Sequence, residues 1–148
     1  MRDVDKDRIF KILIEEGLLN DEQAAFIRSK EAVQRAKALK SRSSSIKRYN
    51  LLQHSFISFM DVIESLKITP PKAGSKTLTT DVIIEAIARN KKLPFVKLDP
   101  LKLDSDIVTR VISRPYAIRH QLVPIGLSDN TLTIATANPL DNEGIYGI

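Results

Sequence analysis

Apolar residues recur at helical spacing as far as Pro94, and beyond it the pattern shortens toward alternation. Ile9, Ile12 and Leu13 share one face of a helix predicted over 5–16, with Glu15 and Glu16 turned away. Gly17 stops it, because glycine takes a left-handed backbone without steric cost. Asn20 is the N-cap of a second helix, and Gln23 three residues on completes a capping box. After Ile27 this helix is weakly apolar, so its later turns belong at the surface. Residues 41–50, with serines at their centre, read as a loop. Phe56, Phe59, Met60, Ile63 and Leu66 then mark the most amphipathic helix of the chain, an aromatic stripe that belongs to a core. Pro70, Pro71 and Gly74 make a loop. Thr79 or Thr80 caps a fourth helix whose inner face is Val82, Ile83, Ala86 and Ile87, and Pro94 forbids its continuation.

Past Pro94 the spacing predicts a short strand at 95–98, a turn at Asp99-Pro100, and a short helix capped by Asp104 that carries Ile107, Val108, Val111 and Ile112. Arg114-Pro115 opens another helix, with proline in the first turn, where its missing N–H costs nothing. Residues 122–127 and 131–135 alternate as two antiparallel strands joined through Ser128, Asp129 and Asn130. Pro124 places the first strand at an edge or in a bulge. Asn138-Pro139 looks like a cap for a last helix that barely begins before Ile148, as if the chain were cut from something longer. The expected fold is α+β. A helical N-terminal subdomain covers 1–92, with loops at about 41–54 and 67–78. A small α/β subdomain with a short mixed or antiparallel sheet covers 93–148.

Charge changes the picture at one place. The 148 residues carry a net +5, yet the segment 28–48 holds eight cations against the single Glu31, a local +7 that leaves −2 for the rest. This is one basic segment on an otherwise acidic chain. Arg35, Lys37, Lys40, Arg42, Lys47 and Arg48 are its candidate contacts to anionic lipid. Nucleic acid is not the expected partner, because no aromatic residues interleave these charges. The chain has no cysteine, which excludes disulfides and thiolate metal sites and suits a reducing compartment. No apolar run reaches the ~18 residues of a spanning helix, and the N-terminus lacks an apolar signal core, so a cytoplasmic location is expected.

Candidate chemistry is sparse. Gly74-Ser75-Lys76-Thr77 resembles the end of a phosphate loop, but that loop needs glycine where Ser75 and Pro70 stand. His54 and His120 lack a second ligand at helical spacing, so no metal site is expected. Asp99, Asp104 and Asp106 read as caps and turns. No nucleophile elbow is present. No catalytic residue and no cofactor are assigned within these residues.

Two stretches support a family. RIFKILIEEGLLNDEQAAFI resembles the opening helix pair in the N-terminal domain of type II secretion and type IV pilus assembly ATPases (general secretory pathway protein E). LPFVKLDP, RPYAIRH, VPI and LTIATANPLD, in that order, resemble its second half. The resemblance implies a non-catalytic domain that docks the ATPase onto the cytoplasmic part of an inner-membrane platform protein, peripheral to that membrane. ATP and Mg would belong to a later domain of the same protein, the other expected neighbour. Some relatives bind cyclic di-GMP through an Arg-Leu-Gly helix start and a later glycine, present twice. Arg8, Ile9 and Gly17 match three of those positions. Phe10 stands where the first glycine would, and the second copy, ISFMDVIESL, has neither arginine nor glycine. A cyclic di-GMP sensor is therefore the alternative reading.

Overall fold

The computed structural model describes residues 3–45, 57–72 and 74–148, the side chains of 3–4 and 41–45 excepted. The chain falls into two compact units, Met1–Ile87 and Ala88–Ile148. The elements are mixed helix and sheet, with the helices leading, as the periodicity predicts.

Unit 1 is helical. Helix α1 (Asp3–Glu15) ends at Gly17, whose φ is +69°, while the Leu18 amide reaches back to the Leu13 carbonyl at 2.8 Å. An added Cβ at Gly17 would meet nothing within 4 Å, so the backbone conformation alone requires glycine. Gly17→Ala is therefore expected to lower stability by about 1 kcal/mol, read as a drop in the urea midpoint. Helix α2 (Asp21–Ser45) starts from the predicted capping box: the Gln23 amide donates to Asn20 Oδ1 at 2.8 Å, and the Asn20 amide to Gln23 Oε1 at 3.2 Å.

α2 corrects the expected loop, because helix continues through Ser45. Adding one residue to an existing helix fixes few new torsions for a full hydrogen bond, and serine is only mildly unfavourable there. Residues 46–54 of that loop, and Phe56, lie outside the described residues. Helix α3 (Phe59–Ser65) begins after a capping box between Ser58 and Asp61, so its first turn starts at Phe59. Helix α4 (Thr80–Asn90) takes Thr79 Oγ1 as acceptor for the Val82 amide, and Glu64 of α3 accepts from both the amide and the hydroxyl of Thr80.

The core of unit 1 is the set of side chains those periodicities aim inward. Ile9, Leu13, Ile27, Phe59, Met60, Ile63, Leu78, Ile83 and Ile87 are each at most 1% exposed. Burying one such side chain contributes about 1.5–3 kcal/mol. Phe10 and Phe59 meet edge to face, ring centroids 5.4 Å apart at 83°. Val82, assigned to the inner face of α4, is instead 37% exposed.

Unit 2 begins in the last turn of α4, which ends on a left-handed Lys92 (φ +57°) with the Leu93 amide bonded to the Ala88 carbonyl. The strand expected at 95–98 is absent. The sheet of the described residues has two strands, and this segment belongs to neither. Extended backbone becomes a strand only where a neighbour completes a ladder, and Pro94 and Pro100 each remove a donor. After a single 3-10 turn (Pro100–Lys102) come α5 (Ser105–Arg110), capped by Asp104, and α6 (Arg114–His120), with Pro115 in its first turn.

Strands β1 (Leu122–Ser128) and β2 (Thr131–Thr136) form an antiparallel hairpin. Its two turn residues, Asp129 and Asn130, have φ of +47° and +64°, the pair of left-handed residues that matches the strand twist. A bulge lies between Pro124 and Gly126. The Ala137 amide donates to the Gln121 carbonyl, and this fixes the phase of the ladder: Leu132, Ile134 and Thr136 of β2 turn their amides away from β1. Pro124 occupies an equally outward position of β1, where no ladder donor is lost. Helix α7 (Asn142–Tyr146) is capped by Asp141, not by Asn138. Asn138 is buried, and its side chain accepts from the Leu140 amide in the turn before the cap.

Candidate functional site

Among the described residues two places gather polar chemistry, one in each unit. In unit 1 an open groove of about 400 Å³ runs between α1 and α2, lined by Asp7, Phe10, Lys11, Asp21, Ala24 and Arg28 among others. The Arg28 guanidinium lies 4.5 Å from the Phe10 ring centroid, and its Nη1 is 2.6 Å from Asp7 Oδ1. The groove thus presents a stacked arginine already paired with a carboxylate. Its lining includes none of Arg8, Ile9 and Gly17. Ile9 is fully buried, Arg8 is exposed, and Gly17 terminates the helix.

In unit 2 the polar cluster is a clasp between α6 and α7. Asp141 Oδ1 accepts from the Gly144 amide at 3.1 Å, and its Oδ2 lies 2.7 Å from His120 Nδ1. The Tyr116 hydroxyl donates to the Gly144 carbonyl at 3.1 Å, and the Tyr116 and His120 rings are 4.4 Å apart. Both oxygens of Asp141 are engaged in holding the helices, which makes the histidine–aspartate pair a structural fastening. The 21 residues between His120 and Asp141 put this pair beyond the reach of sequence spacing. Asp99 and Asp104 are helix caps, accepting from the Leu101 amide and from the Asp106 and Ile107 amides. Among the described residues no three His, Asp or Glu side chains gather in a metal-holding group.

The remaining feature of unit 2 is apolar surface. Residues 93–101 are exposed at every position except the half-buried Phe95. Leu93, Val96, Leu98 and Leu101 all project there, Leu101 at 95% exposure. In addition, the outward edge of β2, TLTIAT, carries no charge and no proline. Natural sheets usually blunt such edges.

Residues 92–146 match the family model of the MshEN domain. This is a non-catalytic N-terminal domain of type II secretion and type IV pilus ATPases. The match covers the second of the two stretches on which the resemblance rests and leaves the first, in α1 and α2, outside it. No curated protein and no solved structure matches the chain. The MshEN match takes in the exposed segment, the clasp and the hairpin together.

The basic segment is only partly available for contact. Arg35 is occupied: Nη1 donates to the Ile57 carbonyl at 2.7 Å, and Nη2 lies 3.2 Å from Glu31 Oε1. Lys37 and Lys40 are exposed on α2. Arg42 lies on the same helix, and Lys47 and Arg48, like His54, fall outside the described residues. No helix of the described residues is long and apolar enough to cross a membrane.

Proposed function

We propose that this chain is the docking domain of a type II secretion ATPase, which recruits the motor to the cytoplasmic part of an inner-membrane platform protein. The observation that carries the reading is the MshEN match over 92–146. Two features of that same region support a docking role. Val96 and Leu101, 56% and 95% exposed, give an apolar surface in a segment without regular structure. The uncharged outer edge of β2 offers backbone donors and acceptors to an added strand. On this reading the ATP and Mg chemistry belongs to another domain of the parent, and the protein works at the cytoplasmic face of the membrane through its partner.

The test is titration of the purified chain with the cytoplasmic domain of the platform protein, followed by calorimetry. Saturable binding is expected, weakened at least about tenfold by Val96→Asp combined with Leu101→Asp, since truncating a central apolar anchor costs about 2 kcal/mol or more. Both side chains are exposed, so the melting temperature should not move. If the chain fails to bind while the full-length ATPase binds, docking lies elsewhere. Equal titration by cyclic di-GMP, abolished in Arg8→Ala, would favour the sensor reading instead.

A further inference from the structure

α2 has an outward face whose chemistry the docking role does not use. Phe26, Lys30, Val33 and Lys37 follow one another at steps of four, three and four, so they line one side of the helix, and Lys40 extends the row by three. All five are exposed, Phe26 at 45% and Val33 at 55%. The helix cannot roll this face inward. Ile27 is fully buried, Gln23 donates to the Thr69 carbonyl, Gln34 to the Ser65 carbonyl and Arg35 to the Ile57 carbonyl. These four contacts hold the adjacent flank and the back of α2 against unit 1.

The sign of the charge is just as firmly set. Glu31, the single acid of the basic segment, is turned toward α1, where it takes Lys6 Nζ at 2.8 Å as well as Arg35. It is therefore unable to neutralise the outward row. From Ala25 to Lys40 the exposed positions of α2 are Ala, Phe, Arg, Ser, Lys, Val and Leu, with no acid among them. Alanines at 25, 32 and 36 keep the flank low, so that a flat surface can approach the helix. The Lys30 ammonium sits 5.9 Å from the Phe26 ring centroid, side by side with the apolar group.

We propose that this row is a contact surface for an anionic lipid bilayer, with Lys30, Lys37 and Lys40 at the headgroups and Phe26 and Val33 entering the interface between them. Interleaved lysine and apolar side chains on one helical face are what a charged interface with an oily interior selects. A nucleic-acid backbone would leave Val33 without a counterpart. The surface differs from the cation set read from the sequence: Arg35 leaves it, and Phe26, Lys30 and Val33 join it. The docking reading plays no part in it, and its test contains no partner protein.

The experiment is co-sedimentation of the 148-residue chain with vesicles of phosphatidylcholine alone and of phosphatidylcholine mixed with phosphatidylserine. Binding is expected to the mixed vesicles and not to the neutral ones, and to fall steeply as NaCl rises from about 0.1 to about 0.5 M. Lys30→Glu with Lys37→Glu should weaken it by about thirtyfold or more, the loss of one surface lysine's share at each of the two positions. Phe26→Ser with Val33→Ser should weaken it severalfold with the salt dependence unchanged. All four positions are exposed, so circular dichroism should report intact folding. Equal binding to neutral vesicles, retention in the charge-reversed variant, or tighter binding to a DNA duplex than to the mixed vesicles at the same salt would overturn the proposal.

Discussion

Phe59→Ala is expected to lower the unfolding free energy of unit 1 by about 3–5 kcal/mol, a large part of the roughly 5–15 kcal/mol that holds a domain together. Phe59 is 1% exposed, opens α3, and meets the edge of Phe10 on α1. Lys6 Nζ lies 5.8 Å from its ring centroid, so the ring also supports the pair that Lys6 makes with Glu31. Truncation leaves a cavity between two helices that have few other large rings to fill it. The matched control is Phe26→Ala, the same change at a 45% exposed position of α2, which should stay within about 0.5 kcal/mol. Urea unfolding followed by far-ultraviolet circular dichroism measures both. A loss at Phe59 of less than about 1 kcal/mol would mean that the aromatic stripe does not face a packed core. A double-mutant cycle with Phe10→Ala should show about 0.5–1.5 kcal/mol of coupling from the edge-to-face pair.

The readable part of this fold is the part set by neighbours a few residues apart. The Asn20–Gln23 box, the stop at Gly17, the cap at Asp104 and the Asp129-Asn130 turn each depend on one local geometry, and each stands where the residues put it. Pro124 was legible in the same way, since a missing donor can only sit at an edge or a bulge, and the ladder gives it both. The errors lie where the deciding partner is distant. Residues 95–98 have the composition of a strand, but a strand needs a second strand, and that information is not in the segment. Ser41 to Ser45 have the composition of a loop, but they inherit a helix already long enough to propagate.

The surfaces follow the same division. Spacing alone places Phe26, Lys30, Val33 and Lys37 in one row. Which way that row faces is decided by Ile57, Ser65 and Thr69, whose carbonyls take side chains on the flank and back of α2. Glu31 could be counted from the sequence as one charge against eight. That it is turned inward depends on Lys6, on another helix. In unit 2 the apolar residues at 93–101 are exposed because the segment pairs with no strand, whereas a paired strand would hide alternate positions.

Gly144→Ala is expected to destabilise unit 2 by about 2 kcal/mol or more, opposite in sign to what helix propensity gives. Alanine is better than glycine inside a helix by about 1 kcal/mol, so a free-standing α7 would gain from the change. The clasp reverses it. A Cβ at 144 would lie 2.6 Å from both Cβ and Nδ1 of His120 and 2.7 Å from Asp141 Oδ2, closer than side-chain atoms approach one another. Either α7 backs away from α6, which releases the Tyr116 hydroxyl from the Gly144 carbonyl, or the His120–Asp141 pair opens. His120→Ala should cost about 1–3 kcal/mol by a different route, removing the 2.7 Å contact to Asp141 Oδ2 and the ring beside Tyr116 while the helices stay in place. Thermal unfolding of each variant gives the sign and size, and an imidazole N–H signal in proton NMR reports whether the pair persists. Stabilisation by Gly144→Ala would show that α7 is not held against α6. On the docking proposal the variants also divide fold from docking: Gly144→Ala should lose partner binding only as far as it unfolds unit 2, whereas Val96→Asp with Leu101→Asp should lose binding with unit 2 fully folded.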